Sequence, residues 1–150
     1  MTVDVSGRLV VFFDTDVLIY AAAQGHPMRS PLRALLDDPG RYALSGSTLL
    51  LAEALIKPTR DGDTDQLQRL KDYLGHLELW PATETVVQLG VWLGATYGLD
   101  AMDAVHLATA VDAGGDVFLT NNRKDFDAKR IAEIDVVYPD QLPAAPSSRR

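Results

Sequence analysis

Four short segments carry side chains that could do chemistry. Asp14 directly follows Val10-Val11-Phe12-Phe13, so it sits where a buried strand presents its carboxyl end. Glu53 is the one charged residue within Leu49-Leu50-Leu51-Ala52-Glu53-Ala54-Leu55-Ile56. A carboxylate in such surroundings is costly unless it is paired, metal-bound or turned outward. The run Asp100-Ala101-Met102-Asp103-Ala104-Val105-His106-Leu107-Ala108-Thr109-Ala110 has its non-apolar residues every third position, which places them on one flank of a helix. Thr120-Asn121-Asn122 follows the apolar Val117-Phe118-Leu119, again at a strand's carboxyl end. Arg123, Lys124, Lys129 and Arg130 come next and form the densest basic cluster of the chain. The chain has no cysteine, and its three histidines show no metal-ligand spacing. Oxygen donors are therefore its metal-binding resource, and carboxylates suit hard ions such as Mg²⁺ or Mn²⁺.

Each acid also has a plain structural role open to it. Asp14, Thr15 or Asp16 can cap the helix that starts near Val17. Glu53 can pair with Lys57 across one helical turn, for a few tenths of a kcal/mol. Asp100 reads as the cap of the next helix and Asp103 as a charge favouring its start. His106 reads as a core histidine, and the basic cluster as a solvated loop surface.

The elements that position these residues follow from hydrophobic patterning. Strands are expected over Leu9–Phe13, Arg41–Leu44, Leu77–Trp80, Val117–Leu119 and Val136–Tyr138. Helices are expected over Val17–Ala23, from Ser30-Pro31 to about Asp38, over Leu49–Lys57 with Pro58 as the stop, through Leu67–Leu77, from Thr83 to Gly98, and over Asp100–Ala113. Thr59 to Thr64 reads as a loop. Such alternation points to an α/β fold, a mostly parallel sheet with helices on both faces, which takes its ligands at the carboxyl ends of the strands.

Composition bounds the function. The 150 residues suit one domain, spanning 1–150, with a Pro/Ala/Ser-rich tail from about 139 that is expected to fray. Apolar residues make up 47% and charged residues 23%, which excludes disordered, collagen-like and coiled-coil chains. Fourteen Lys and Arg against 21 Asp and Glu give a net charge of −7. A nucleic acid would then need a local basic patch or bound cations. The longest uncharged stretch, Thr85 to Leu99, is too short and too mixed to span a membrane, so a cytoplasmic location is expected.

Taken in order, Phe12-Phe13-Asp14-Thr15-Asp16-Val17-Leu18-Ile19, Leu51-Ala52-Glu53, Gly98 to Ala110 and Phe118 to Phe126 resemble a PIN-domain nuclease, within that group a VapC-type toxin ribonuclease. The resemblance runs from about residue 10 to 126. It implies a three-layer α/β/α sandwich and catalytic acids at Asp14, Glu53 and Asp103, with Asp14 and Asp103 as metal ligands. It implies cleavage of single-stranded RNA with Mg²⁺ (or Mn²⁺), a cognate antitoxin that occupies the site, and homodimerisation. The family's fourth acidic position, two residues after the strand-end threonine, is Asn122 here, which leaves Asp100 or Asp125 to compensate. Thr120, Asn122 and Asp100 are then the site edge, and Arg123 and Lys124 candidate RNA contacts. Phosphodiester hydrolysis fits such a site, because metal ions held by carboxylates activate water and stabilise the attacking and leaving oxygens. Two other classes share some features: a haloacid-dehalogenase-like phosphatase with Asp14 as nucleophile, and a catalytically degenerate PIN-like protein-binding module, favoured by Asn122.

Overall fold

The computed structural model describes residues 7–142. Its five strands are β1 (Leu9–Phe13), β2 (Tyr42–Ser47), β3 (Glu78–Trp80), β4 (Val117–Leu119) and β5 (Asp135–Val137). They form one sheet in the order β3-β2-β1-β4-β5, with every pairing parallel. The six α-helices are α1 (Thr15–Ala22), α2 (Arg29–Leu36), α3 (Leu49–Asp61), α4 (Thr64–Leu74), α5 (Glu84–Tyr97) and α6 (Ala101–Asp112). The chain moves outward from central β1 to β2 and β3, then returns through α5 and α6 to lay β4 on the other side of β1. The order therefore reverses between β1 and β4, and a crevice at such a point is where doubly wound sheets bind ligands.

Two hydrophobic clusters hold the layers together. Val11 and Phe13 of β1 face one side, where they pack with Val17 and Leu18 of α1, Leu32 of α2, Leu50 of α3 and Leu70 of α4. Phe12 faces the other side, with Leu93 of α5, Leu107 of α6, Phe118 and Phe126. Neighbouring strand residues point to opposite faces, so an unbroken apolar run is what a strand covered on both sides requires. Gly115, between α6 and β4, lets this second layer close. A Cβ there would stand 2.6 Å from the Phe12 ring and 3.1 Å from the Ala110 carbonyl oxygen. Gly115→Ala should therefore cost about 1–3 kcal/mol through overpacking, read as a lower midpoint in chemical denaturation.

Several boundaries differ from the sequence expectation for local reasons. Pro58 does not stop α3 but lies buried inside it. Its ring holds a helix-compatible φ, so it removes one hydrogen bond without turning the chain. The helix runs on through Thr59 to Asp61, which the sequence assigned to a loop. It ends at Gly62, whose φ of 67° lets its N–H reach the Pro58 and Thr59 carbonyls. Helix α2 starts at Arg29, which puts Ser30 and Pro31 inside the first turn, where proline needs no donor. Strand β2 extends to Ser47. Of the expected frayed tail, Pro139–Gln141 forms a 3₁₀ turn with Pro139 buried, and 143–150 lie outside the described residues. Among the described residues no helix is long and apolar enough to cross a membrane.

Candidate active site

The carboxyl edge of the sheet gathers the acids singled out above. Asp14 leaves β1 and caps α1, with Oδ1 accepting from the Thr15 N–H at 2.9 Å. Its Oδ2 accepts from the Thr120 hydroxyl at 2.7 Å, across the point where the strand order reverses. The Asp14 N–H donates to the Leu119 carbonyl, so the ladder itself sets the two strand ends side by side. Cap and site residue are thus one and the same. Asp14 is 5% exposed, and burial first, then the Asp16 charge, push its carboxyl up to about 7. What opposes the rise is hydrogen bonding from Thr120 and Thr15.

Asp103 lies in the first turn of α6, whose cap is Asp100. Asp100 Oδ1 accepts from the Asp103 N–H at 2.9 Å. Burial and the charges of Asp14, Asp100 and Asp125 raise the Asp103 carboxyl to about 7, while His106 lowers it. Burial leads the causes for both Asp14 and Asp103, and no lysine or arginine appears among those causes. Glu53 does not pair with Lys57, which bonds Asp61 instead at 3.1 Å. Glu53 turns toward the site, where Oε1 accepts from the Thr15 hydroxyl at 2.6 Å and lies 2.5 Å from His106 Nε2.

The remaining predicted residues are placed as follows. The Asn122 carboxamide is committed to its own turn. Its Nδ2 donates to Asp125 at 2.9 Å, its Oδ1 accepts from the Asp125 N–H, and its N–H donates to Thr120. Arg123 stacks over the Tyr138 ring, 4.3 Å from its centre, and pairs with Asp140. Arg130 lies over Tyr97 instead, so the basic cluster is split between two surfaces. Lys124 is exposed.

Three contributors were not assigned to the site from the sequence. Thr15 and His106 both hold Glu53. Asp16 is a second half-buried acid beside Asp14, raised by burial, and accepts from the Asn121 N–H at 3.3 Å. For His106 the signal was present, since it shares the three-residue spacing of Asp100 and Asp103. Burial alone does not mark a site acid. Asp116 is equally buried, but it sits at the start of β4 and accepts from the Val10 N–H at the sheet's other end.

The donor set suits a hard divalent ion. It offers several carboxylate oxygens at one edge, with hydroxyl and amide donors rather than cationic side chains arranged around Asp14. Among the described residues no group of three or more His, Cys, Asp or Glu side chains is placed to hold a metal ion by itself. An open arrangement fits Mg²⁺, which keeps several waters and takes one or two carboxylates together with substrate phosphate.

Comparison with known proteins identifies the fold. A PIN-domain profile matches residues 11–133. No curated protein matches the chain. A toxin–antitoxin complex from Klebsiella pneumoniae is 27% identical, over 86% of this chain and 97% of that one, with a TM-score of 0.65. VapBC2 from Rickettsia felis, bound to a DNA fragment from its promoter, is 18% identical over 87% and 98%, with a TM-score of 0.69. DNA-bound VapBC from Salmonella typhimurium is 18% identical over 87% and 98%, with a TM-score of 0.64. The family match sets aside the haloacid-dehalogenase alternative. The chain belongs to the PIN-domain family, and its fold is the one found in VapBC toxin–antitoxin complexes.

Proposed function

We propose that this protein is a Mg²⁺-dependent endoribonuclease that cleaves single-stranded RNA, the toxin of a toxin–antitoxin pair, acting in the cytoplasm as a homodimer. The observation that carries this reading is the pair of buried or half-buried carboxyls, Asp14 and Asp103, raised together at the point where the strand order reverses. Asp14 and Asp103 would hold the ion, with Mn²⁺ as a substitute. An ion held there would supply charge neutralisation at the scissile phosphate and a more acidic water. Glu53, held through Oε1, would accept a proton from the attacking water. Thr120 fixes the Asp14 carboxylate, and Asp100 fixes the start of the helix that presents Asp103. Asn122 and Asp125 close the edge of the cleft. The kinship to toxin–antitoxin complexes supports a cognate antitoxin that covers this edge.

The test is incubation of the purified chain with an RNA pool, with and without Mg²⁺, against Asp14→Asn. Cleavage that needs both the ion and Asp14 supports the reading. Ion binding without any cleavage would favour the degenerate binding module, to which Asn122 points.

The two proposed RNA contacts should behave differently. Lys124 is exposed, whereas Arg123 is engaged by Tyr138 and Asp140. On a cleavage-deficient Asp103→Asn background, Lys124→Glu should reduce the slope of log binding constant against log salt by about 0.7, the value of one phosphate contact on a single strand. Fluorescence titrations with a short RNA at several salt concentrations measure it. An unchanged slope would place the RNA path elsewhere.

A further inference from the structure

Glu53 needs a restraint that its own helix does not supply. Its side chain is long and 29% exposed, and Asp14 is close enough for their charges to repel. Left alone it would swing toward solvent. Two side chains hold it by one oxygen, Oε1: the Thr15 hydroxyl at 2.6 Å and His106 Nε2 at 2.5 Å. Thr15 Oγ1 and His106 Nε2 are themselves 3.1 Å apart, which closes a three-membered corner. Glu53 Oε2 makes no hydrogen bond among the described residues, so it is the oxygen left for water or substrate.

His106 is suited to this task and to little else. It is 2% exposed, and its Nδ1 is buried without a hydrogen-bond partner. Its polar contacts are confined to the corner with Glu53 and Thr15. Facing a carboxylate, Nε2 is the nitrogen that carries the proton, a tautomer assigned from the network. The connectivity gives the contact its meaning. Thr15 is the neighbour of Asp14, and His106 lies one helical turn beyond Asp103 on α6. The corner therefore ties Glu53 to both elements that present the other two acids.

We infer that His106 is a positioning residue, which with Thr15 fixes the Glu53 carboxylate relative to Asp14 and Asp103. The inference deepens the nuclease reading and, for its kinetic part, rests on it. A histidine that only fills the core would be indifferent to Glu53.

The test uses the full chain with His106→Leu, His106→Gln and Glu53→Gln. His106→Leu keeps most of the volume but has no donor, while the glutamine amide places an N–H where Nε2 stood. Lost support for a site residue costs about 10–100-fold in activity. His106→Leu should lower kcat by that factor with KM for RNA little changed, and His106→Gln should recover most of it. In the Glu53→Gln background His106→Leu should add nothing further, since residues in one network are not additive. Nitrogen–proton NMR of the ring gives a readout that needs neither RNA nor metal: the Nε2–H resonance should lie downfield and move on Glu53→Gln.

Unchanged kcat in a folded His106→Leu protein, additive losses, or an Nε2–H resonance indifferent to Glu53→Gln would each overturn the inference. If His106→Leu does not fold, the NMR comparison decides. Absence of RNA cleavage by the wild-type protein overturns the nuclease reading alone, and the NMR comparison still decides on the corner.

Discussion

Asp103→Asn should abolish ion-dependent RNA cleavage while leaving the fold intact. Asparagine has nearly the same shape, and the cap at this helix start comes from Asp100, whose bond to the residue-103 N–H is independent of the side chain. What is lost is a charged oxygen at the edge where the ion is proposed to bind. Loss of a partner one shell out from a metal costs about 10–100-fold, so loss of a ligand should cost at least on the order of a hundredfold. Burial and three neighbouring acids already disfavour the charge, so the neutral variant should melt at the same temperature or higher without metal. Cleavage assays and thermal melts on the same samples separate the outcomes. A variant that unfolds would show that Asp103 is chiefly a structural element of α6.

The metal-free protein should lose stability as pH rises from about 4 to about 7. Asp14 and Asp103 have ordinary carboxyl values of 3.8 in the unfolded chain and about 7 in the folded one. Between these limits the folded state holds more protons than the unfolded state, so raising pH favours unfolding. Below the unfolded value both states are protonated, and above about 7 the loss is complete. For buried Asp14 alone the difference between pH 5 and pH 8 amounts to about 2–3 kcal/mol, at roughly 1.4 kcal/mol for each pH unit up to the folded value. Asp103 adds less because it is more exposed. At roughly 2–4 °C for each kcal/mol in a chain of this size, the melting temperature should drop by about 5–10 °C. The exposed Asp61, lowered by Lys57 and Arg60, titrates below this window and does not mask it. Saturating Mg²⁺ should remove most of the drop by favouring the charged carboxylates, and Asp14→Asn should remove much of it without metal. A flat profile in metal-free buffer would mean that these acids are solvated.

What could be read from the sequence was what local pattern decides. The run Leu9 to Phe13 reads as a strand covered on both faces, which places Asp14 at its carboxyl end. Thr83, Gly98 and Asp100 mark helix ends through side chains and backbone conformations within a few residues. Glu53 was visible as an anomaly, but its partners were not, because Thr15 and His106 lie 38 and 53 positions away and only the fold brings them near. The same applies to Arg123. Its position after the strand-end Thr120 suggests a free cation beside the cleft, whereas Tyr138 and Asp140, arriving after β5, engage it. Pro58 misled because a proline that ends most helices sits inside α3, and the stop depended on Gly62 a few residues later.

The bond from Thr120 to Asp14 joins residues 106 positions apart. A chain emerging from the ribosome presents Asp14, Thr15 and Glu53 long before α6 and β4 exist to complete their surroundings. Domains form as their segments become available, and distant contacts come late because loop closure must precede them. Until Val117 to Leu119 can dock beside β1, Asp14 has no Thr120 hydroxyl. Nascent and prematurely terminated chains lacking β4 therefore lack the bond that completes the Asp14 surroundings, which exist only once synthesis has passed that strand. On the proposed toxin reading, a partner that covers the cleft has most of the translation time to be present before there is anything to cover.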